Sequence, residues 1–111
     1  MINIEAVLEK DGTLRACKAS GHAGAGRAGT DIVCAAVSVL MRTAFKTLSE
    51  REGITVRGGA PEKGQLWLEV DYSAEGKDFL SAVGVFLLEG IKSVEQEFPG
   101  NCKLDISTWR I

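Results

Sequence analysis

The sequence contains 111 residues, of which 45% are hydrophobic and 25% are charged, and its net charge is −2. This length and balance predict a single globular domain over residues 1–111, with a core that needs no metal or disulfide cross-link. A nearly neutral chain has no strong electrostatic attraction to nucleic acids or anionic membranes, so we expect neither as a direct partner.

The N-terminus and the cysteines indicate a cytoplasmic protein. The opening residues, MINIEAVLEKDG, lack the basic and apolar regions of a signal peptide. No apolar run approaches the roughly 20 residues that a membrane span needs. The chain has three cysteines, an odd number without a C-x-x-C motif, and one histidine. This set disfavours both a disulfide framework and a zinc site, so we expect no metal and no other cofactor.

The first half of the chain predicts two strands followed by a long helix. Apolar residues alternate with polar ones at the N-terminus, and Asp11-Gly12 is typical of a tight turn between paired strands. After a glycine-rich segment, strong helix formers follow Thr30 and Asp31, either of which could be the N-cap. The predicted elements are strands over residues 2–8 and 13–20 and a helix over residues 31–50.

The second half predicts two more strands, a second helix and a final strand. Apolar residues alternate from Ile54 and again from Leu66, and a 3.6-residue apolar period then covers residues 76–98. Residues 103–111 have the composition of a last strand. The order β-β-α-β-β-α-β predicts an α/β protein of the α+β type: one two-layer domain, with two helices packed on a mixed, largely antiparallel sheet.

Residues 21–34, GHAGAGRAGTDIVC, contain the most informative pattern of the chain. Their segment GAGRAG matches the G-x-G-x-x-G pattern between a strand and a helix, as in a dinucleotide-binding loop. However, the strand before it carries Arg15 and Lys18, whereas a central Rossmann strand is buried on both faces. The chain is also too short for two mononucleotide-binding halves, so the pattern is weak evidence for a nucleotide.

Cys34 suggests a different role for this segment. On a helical wheel it lies where the apolar arc meets the polar flank, with Asp31 and Ser38 on its own side. A predicted place in the first helical turn would favour a thiolate through the free N–H groups and the helix dipole. The simpler alternative is that Cys34 is a small buried hydrophobe in a core helix.

His22 and the glycines around it favour the catalytic alternative. Glycines weaken a structural link because they cost backbone entropy and contribute no packing, whereas a loop that closes over a substrate can use them. A flexible loop of this kind could bring His22 to Cys34. The glycines of the predicted loop are Gly21, Gly24, Gly26 and Gly29.

The segment GHAG, followed after a short glycine-containing loop by DIVCAAVS, resembles the ribosomal-processing cysteine protease family, Prp. The resemblance covers the whole chain in length, helix placement and element order. It implies a small homodimeric α/β cysteine protease in which His22 is the general base and Cys34 the nucleophile. Asp31 and Ser38 are candidate supporting residues, with helix capping the first expectation for Asp31.

The resemblance also implies a substrate. Members of the family remove a short N-terminal extension from the large-subunit ribosomal protein numbered twenty-seven, cutting after an aromatic residue. One departure is that many members carry a bulkier residue soon after GHAG, where this chain has Ala25-Gly26-Arg27-Ala28. The rival hypothesis is a non-enzymatic module that binds a ribosomal or other partner, with Cys34 in a structural role.

Overall fold

The fold consists of two layers, a mixed sheet and two helices. The computed structural model describes residues 1–21, 28–62 and 64–110, and within residues 28–31 it describes the backbone alone. The described elements follow the predicted order, with one added 3₁₀ turn at Ala74–Gly76. They are β1 (Ile2–Leu8), β2 (Leu14–Ser20), α1 (Ala28–Ser49), β3 (Ile54–Gly59), β4 (Gln65–Tyr72), α2 (Lys77–Glu97) and β5 (Cys102–Thr108).

The strands lie in the spatial order β3-β4-β2-β1-β5. Neighbouring strands are antiparallel except for β1 and β5, which run parallel with Ile2 beside Cys102 and Leu8 beside Thr108. The predicted mixed, largely antiparallel sheet is therefore confirmed. The hairpin between β1 and β2 turns at Asp11-Gly12, where Gly12 has a φ of +93° that glycine adopts without strain.

Both helices pack on one face of the sheet. Alternate residues of β1, β2 and β4 point toward the helices, and the apolar arc of α1 meets them. Most of these side chains are fully shielded from solvent. The largest of them are Ile4, Leu14, Met41, Leu48, Leu68, Leu80, Leu87 and Ile91.

Helix α1 begins three residues earlier than the sequence pattern predicts. Its first residue is Ala28, so Thr30 and Asp31 lie within the first turn and neither is the N-cap. Ala28 is a strong helix former, so the helix can begin there. An acidic residue such as Asp31 is favoured inside the first turn as well as at the N-cap, so its presence does not distinguish the two positions. Cys34 consequently lies six residues after the start of α1, in its second turn, which corrects the predicted first-turn position.

Part of α1 also satisfies the length and composition of a membrane span. Residues Ile32–Ser49 form an 18-residue apolar helical segment, which differs from the expectation that no such run exists. In the fold, Val33, Val37 and Met41 of this segment are buried against the sheet. One face of the segment therefore packs in the core of the fold.

Candidate active site

A cleft of about 430 Å³ opens at the end of the sheet where β2 leads toward α1. Its walls are the end of β2, one flank of α1 and the connection between β3 and β4. Apolar and polar groups both face the space. The lining residues are Ile2, Ala19, Ser20, Gly21, Cys34, Val37, Ser38, Arg42, Ala60, Pro61, Glu62, Gly64, Gln65 and Leu66.

Cys34 is the cysteine that lines this cleft. Its side chain is half-buried, packing against the core on one side and facing the cleft on the other. The other two thiols are buried in β2 and at the start of β5. Burial raises the pKa of Cys17 to about 12, and burial followed by the charge of Glu95 raises the pKa of Cys102. Cys34 is therefore the thiol that the fold leaves accessible to a substrate.

Ser38 lies one turn beyond Cys34 and lines the same cleft. Its Oγ accepts a hydrogen bond of 3.0 Å from Nε of Arg42, one further turn along α1. Arg42 also lines the cleft, and the sequence pattern did not identify it as a site residue. The four-residue spacing of Cys34, Ser38 and Arg42 contained that information, because such residues share one helix face.

Gly21 joins β2 to the wall of the cleft. Its N–H donates a 3.1 Å hydrogen bond to the carbonyl of Gly64, on the connection between β3 and β4. Its φ is +134°, and a Cβ at this position would collide with the backbone carbonyl of Met1. Both facts require glycine here. Gly21 therefore ties the end of β2 to the connection between β3 and β4.

The remaining predicted site residues are described in part or not at all. His22, Gly24 and Gly26 lie outside the described residues, as does the expectation that His22 and Cys34 stand further apart than a hydrogen bond. Gly29 lies inside α1, so the glycine segment before the helix is shorter than predicted. Asp31 lies in the first turn of α1, and its side chain is outside the description.

The sheet topology separates this site from a dinucleotide-binding fold. The strand before the glycine segment, β2, is antiparallel to both of its neighbours, β1 and β4. A Rossmann site requires parallel strands with a crevice at a topological switch point. Within the described ranges 1–21, 28–62 and 64–110, no group of three His, Cys, Asp or Glu side chains could hold a metal ion.

Comparisons with known proteins show the class of protein to which this chain belongs. The family model described as Cysteine protease Prp matches residues 1–103. The fold is similar to SMU.848 from Streptococcus mutans, with a TM-score of 0.81, 27% identity, and coverage of 98% of this chain and 96% of that one. No curated protein matches in a direct comparison of sequences.

Two further structures share the fold. One is an essential ribosomal processing protease Prp from S. aureus in complex with a substrate peptide, with 18% identity and a TM-score of 0.81. The other is the same S. aureus protease with a covalently linked product peptide, with 19% identity and a TM-score of 0.80. In each case the match covers 96% of this chain and 100% of the S. aureus chain.

The protein described here is thus a cysteine protease. More particularly, the chain belongs to the Cysteine protease Prp family, whose model spans nearly its whole length. The family assignment suggested by GHAG and DIVCAAVS is confirmed, and it favours the enzyme over the non-enzymatic binding module.

Proposed function

We propose that this protein is a cytoplasmic endopeptidase of ribosome biogenesis, which removes the N-terminal extension of the large-subunit ribosomal protein numbered twenty-seven and cuts after an aromatic residue. The observation that carries this proposal is the half-buried Cys34, which faces a cleft large enough for a peptide segment. The S. aureus protein of the same fold, described as a ribosomal processing protease, takes a substrate peptide and holds a covalently linked product peptide.

The proposed mechanism uses Cys34 and His22. His22 accepts the thiol proton of Cys34, and the thiolate sulfur attacks the carbonyl carbon of the scissile bond. The tetrahedral intermediate collapses to a thioester as the proton on His22 passes to the leaving amine. Water, deprotonated by His22, then hydrolyses the thioester, which releases the extension and restores the thiol.

The helix geometry limits where the oxyanion donors come from. Only the first four N–H groups of a helix lack an acceptor within it, and Cys34 lies beyond them in α1. We therefore assign the oxyanion to N–H groups at the start of α1, not to that of Cys34. Ser38 supports the cleft wall through its hydrogen bond with Arg42. The role of Asp31 is to stabilise the start of α1 through its negative charge.

The proposed active form is a homodimer. Four large apolar side chains on the helices are more than half exposed, which is unusual for a monomer when such residues share a surface. They are Ile32 and Val39 on α1 and Val85 and Phe86 on α2. We propose that a second copy of the chain covers them.

Peptide cleavage tests the function. A synthetic peptide spanning the end of the extension and the start of the mature ribosomal protein is incubated with wild type, Cys34→Ala and Cys102→Ala, and products are identified by mass spectrometry. We expect wild type and Cys102→Ala to cut after the aromatic residue and Cys34→Ala to leave the peptide intact. Cutting by Cys34→Ala at the wild-type rate would refute the assignment of the nucleophile.

A further inference from the structure

A second pocket, of about 270 Å³, lies further along α1 between the helix and the hairpin of β3 and β4. Its volume is slightly below the usual range for whole small-molecule ligands, about 300–1,000 Å³, and it suits one large side chain. Aromatic and aliphatic groups dominate its walls. The lining residues are Met41, Arg42, Phe45, Gly58, Gly59, Ala60, Leu66, Trp67 and Leu68.

This pocket adjoins the active-site cleft. Arg42, Ala60 and Leu66 line both spaces, so the two are neighbours along α1, and we refer to them together as the groove. A peptide that lies extended along α1 from Cys34 would reach the second pocket. We call the second pocket the distal subsite.

Two glycines of β3 lie close to aromatic rings, and one of them, Gly58, borders the distal subsite. A Cβ at residue 58 would lie 2.7 Å from the ring of Phe45, and one at residue 59 would lie 3.3 Å from Nε1 of Trp67. Neither glycine has a positive φ, so the backbone conformation does not require them. Glycine inside a strand weakens it and often marks a close approach of another group. Successive residues of a strand face opposite sides of the sheet, so Gly58 admits the ring of Phe45 on the helix side, where the subsite lies, and Gly59 approaches Trp67 on the other side.

The length of the groove sets which substrate residue can reach the distal subsite. Met41 and Phe45 follow Cys34 by seven and eleven residues, which places them about 10 and 16 Å further along the helix axis. An extended peptide rises about 3.3 Å per residue. The distal subsite is therefore three to five substrate residues from the bond that Cys34 attacks.

The charges along the groove set the direction of the peptide. Arg42 stands between the two spaces, whereas Glu62 lines only the cleft that holds Cys34. The mature part of a ribosomal protein binds RNA phosphates through Lys and Arg, so it is better placed near Glu62 than past Arg42. The extension is then the segment that runs past Arg42.

We propose that the distal subsite binds one large apolar side chain of the extension, three to five residues before the cleaved bond, and so contributes to substrate selection. This inference rests on the proposed function, because it needs the ribosomal protein extension as the substrate. It adds a second recognition point, separate from the aromatic residue at the cut.

The test compares kcat/KM for a parent peptide with a large apolar residue in this window and for a peptide with alanines at the same three positions. The variant is Phe45→Leu, which removes a ring that lines the subsite. The control is Phe79→Leu, which removes a similarly half-buried ring from α2, outside the groove. We expect wild type and Phe79→Leu to prefer the parent peptide by about tenfold or more, and Phe45→Leu to lose most of that preference.

Each outcome decides the proposal. An equal preference in Phe45→Leu and wild type would overturn the distal subsite while leaving the protease function intact, since both enzymes would still cut. A preference that lies after the cut instead of before it, found by moving the alanines, would overturn the proposed direction. If wild type cuts neither peptide, the proposed function itself fails and the subsite falls with it.

Discussion

At the scale of single residues, the surroundings of each thiol separate the three cysteines. Cys17 and Cys102 are both about 1% exposed, whereas Cys34 lies at the boundary of core and cleft. Burial disfavours the charged thiolate because the apolar interior cannot solvate it. The thiolate is the reactive form, so burial alone protects two of the three cysteines.

Alkylation measures this difference directly. At pH 7.5, iodoacetamide should label Cys34 about tenfold or more faster than Cys17 and Cys102, because the raised pKa values of the buried thiols keep them protonated. Peptide mapping by mass spectrometry over time gives the three rates. Cys34→Ser should abolish the fast phase, and equal labelling of all three cysteines would contradict the assignment.

At the scale of elements, the hairpin of β1 and β2 is tied to the start of α2. The carboxylate of Asp11 accepts a 3.0 Å hydrogen bond from the backbone N–H of Thr13 and pairs with Nζ of Lys77 at 2.8 Å. Lys77 is the first residue of α2. Hydrogen bonding to Lys77, and then to Thr13, holds the pKa of Asp11 well below its usual value. One side chain thus joins a turn to a helix.

This pair should appear in the pH dependence of stability. A lowered pKa in the folded state means that the ionised Asp11 stabilises the fold above about pH 4, and that this contribution is lost as the pH falls. Asp11→Asn should therefore be less stable than wild type at pH 7, and the difference should shrink toward pH 3. Urea unfolding at several pH values measures it, with Asp105→Asn on β5 as the control. A difference that is constant with pH would contradict the pairing.

At the scale of the whole molecule, the two ends of the sheet have different roles. One end holds the cleft with Cys34. At the other end, Arg15 contacts three side chains. Its guanidinium lies 4.1 Å from the ring centroid of Trp109 and forms salt bridges with Glu9 and Asp71. Tyr72 donates a 2.6 Å hydrogen bond to Glu9 in the same cluster. The end opposite the cleft is thus held by a charged and aromatic cluster.

The helical face away from the sheet is where the proposed dimer can be tested. Phe86→Glu places a charge on a side chain that is 75% exposed, so the monomer fold should tolerate it while a dimer contact should not. Sedimentation velocity should show wild type as a dimer and Phe86→Glu as a monomer. Ile106→Glu, at an exposed apolar position on β5, is the control that should stay dimeric. A dimeric Phe86→Glu would exclude this surface.

Much of the fold was predictable because it depends on local patterns. The alternation of Ile2, Ile4 and Ala6 identifies a half-buried strand, and Asp11-Gly12 identifies its turn. The start of α1 was less predictable, since Ala28, Thr30 and Asp31 are all acceptable near a helix start. Sequence alone could identify a thiol on a helix flank but not its distance from the end of the helix.

The groove was the least predictable part of the candidate site. It depends on contacts between residues far apart in the chain, such as the close approach of Gly58 to Phe45. The local signals at these positions indicate a weak strand and a core aromatic, and nothing in either segment alone indicates a pocket. Arg42 lies on α1, but the residues that it faces across the groove come from β3, β4 and their connection.

The contact between Gly21 and Met1 has a practical consequence for handling the protein. A purification tag fused before Met1 would be attached beside Gly21, which lines the cleft. Its linker would compete with a peptide substrate for the opening of the cleft. Since β1 and β5 are parallel, a tag fused after the last strand would leave from the opposite end, about 20 Å away. Enzymatic assays should therefore use protein tagged at the C-terminus, or protein from which an N-terminal tag has been removed.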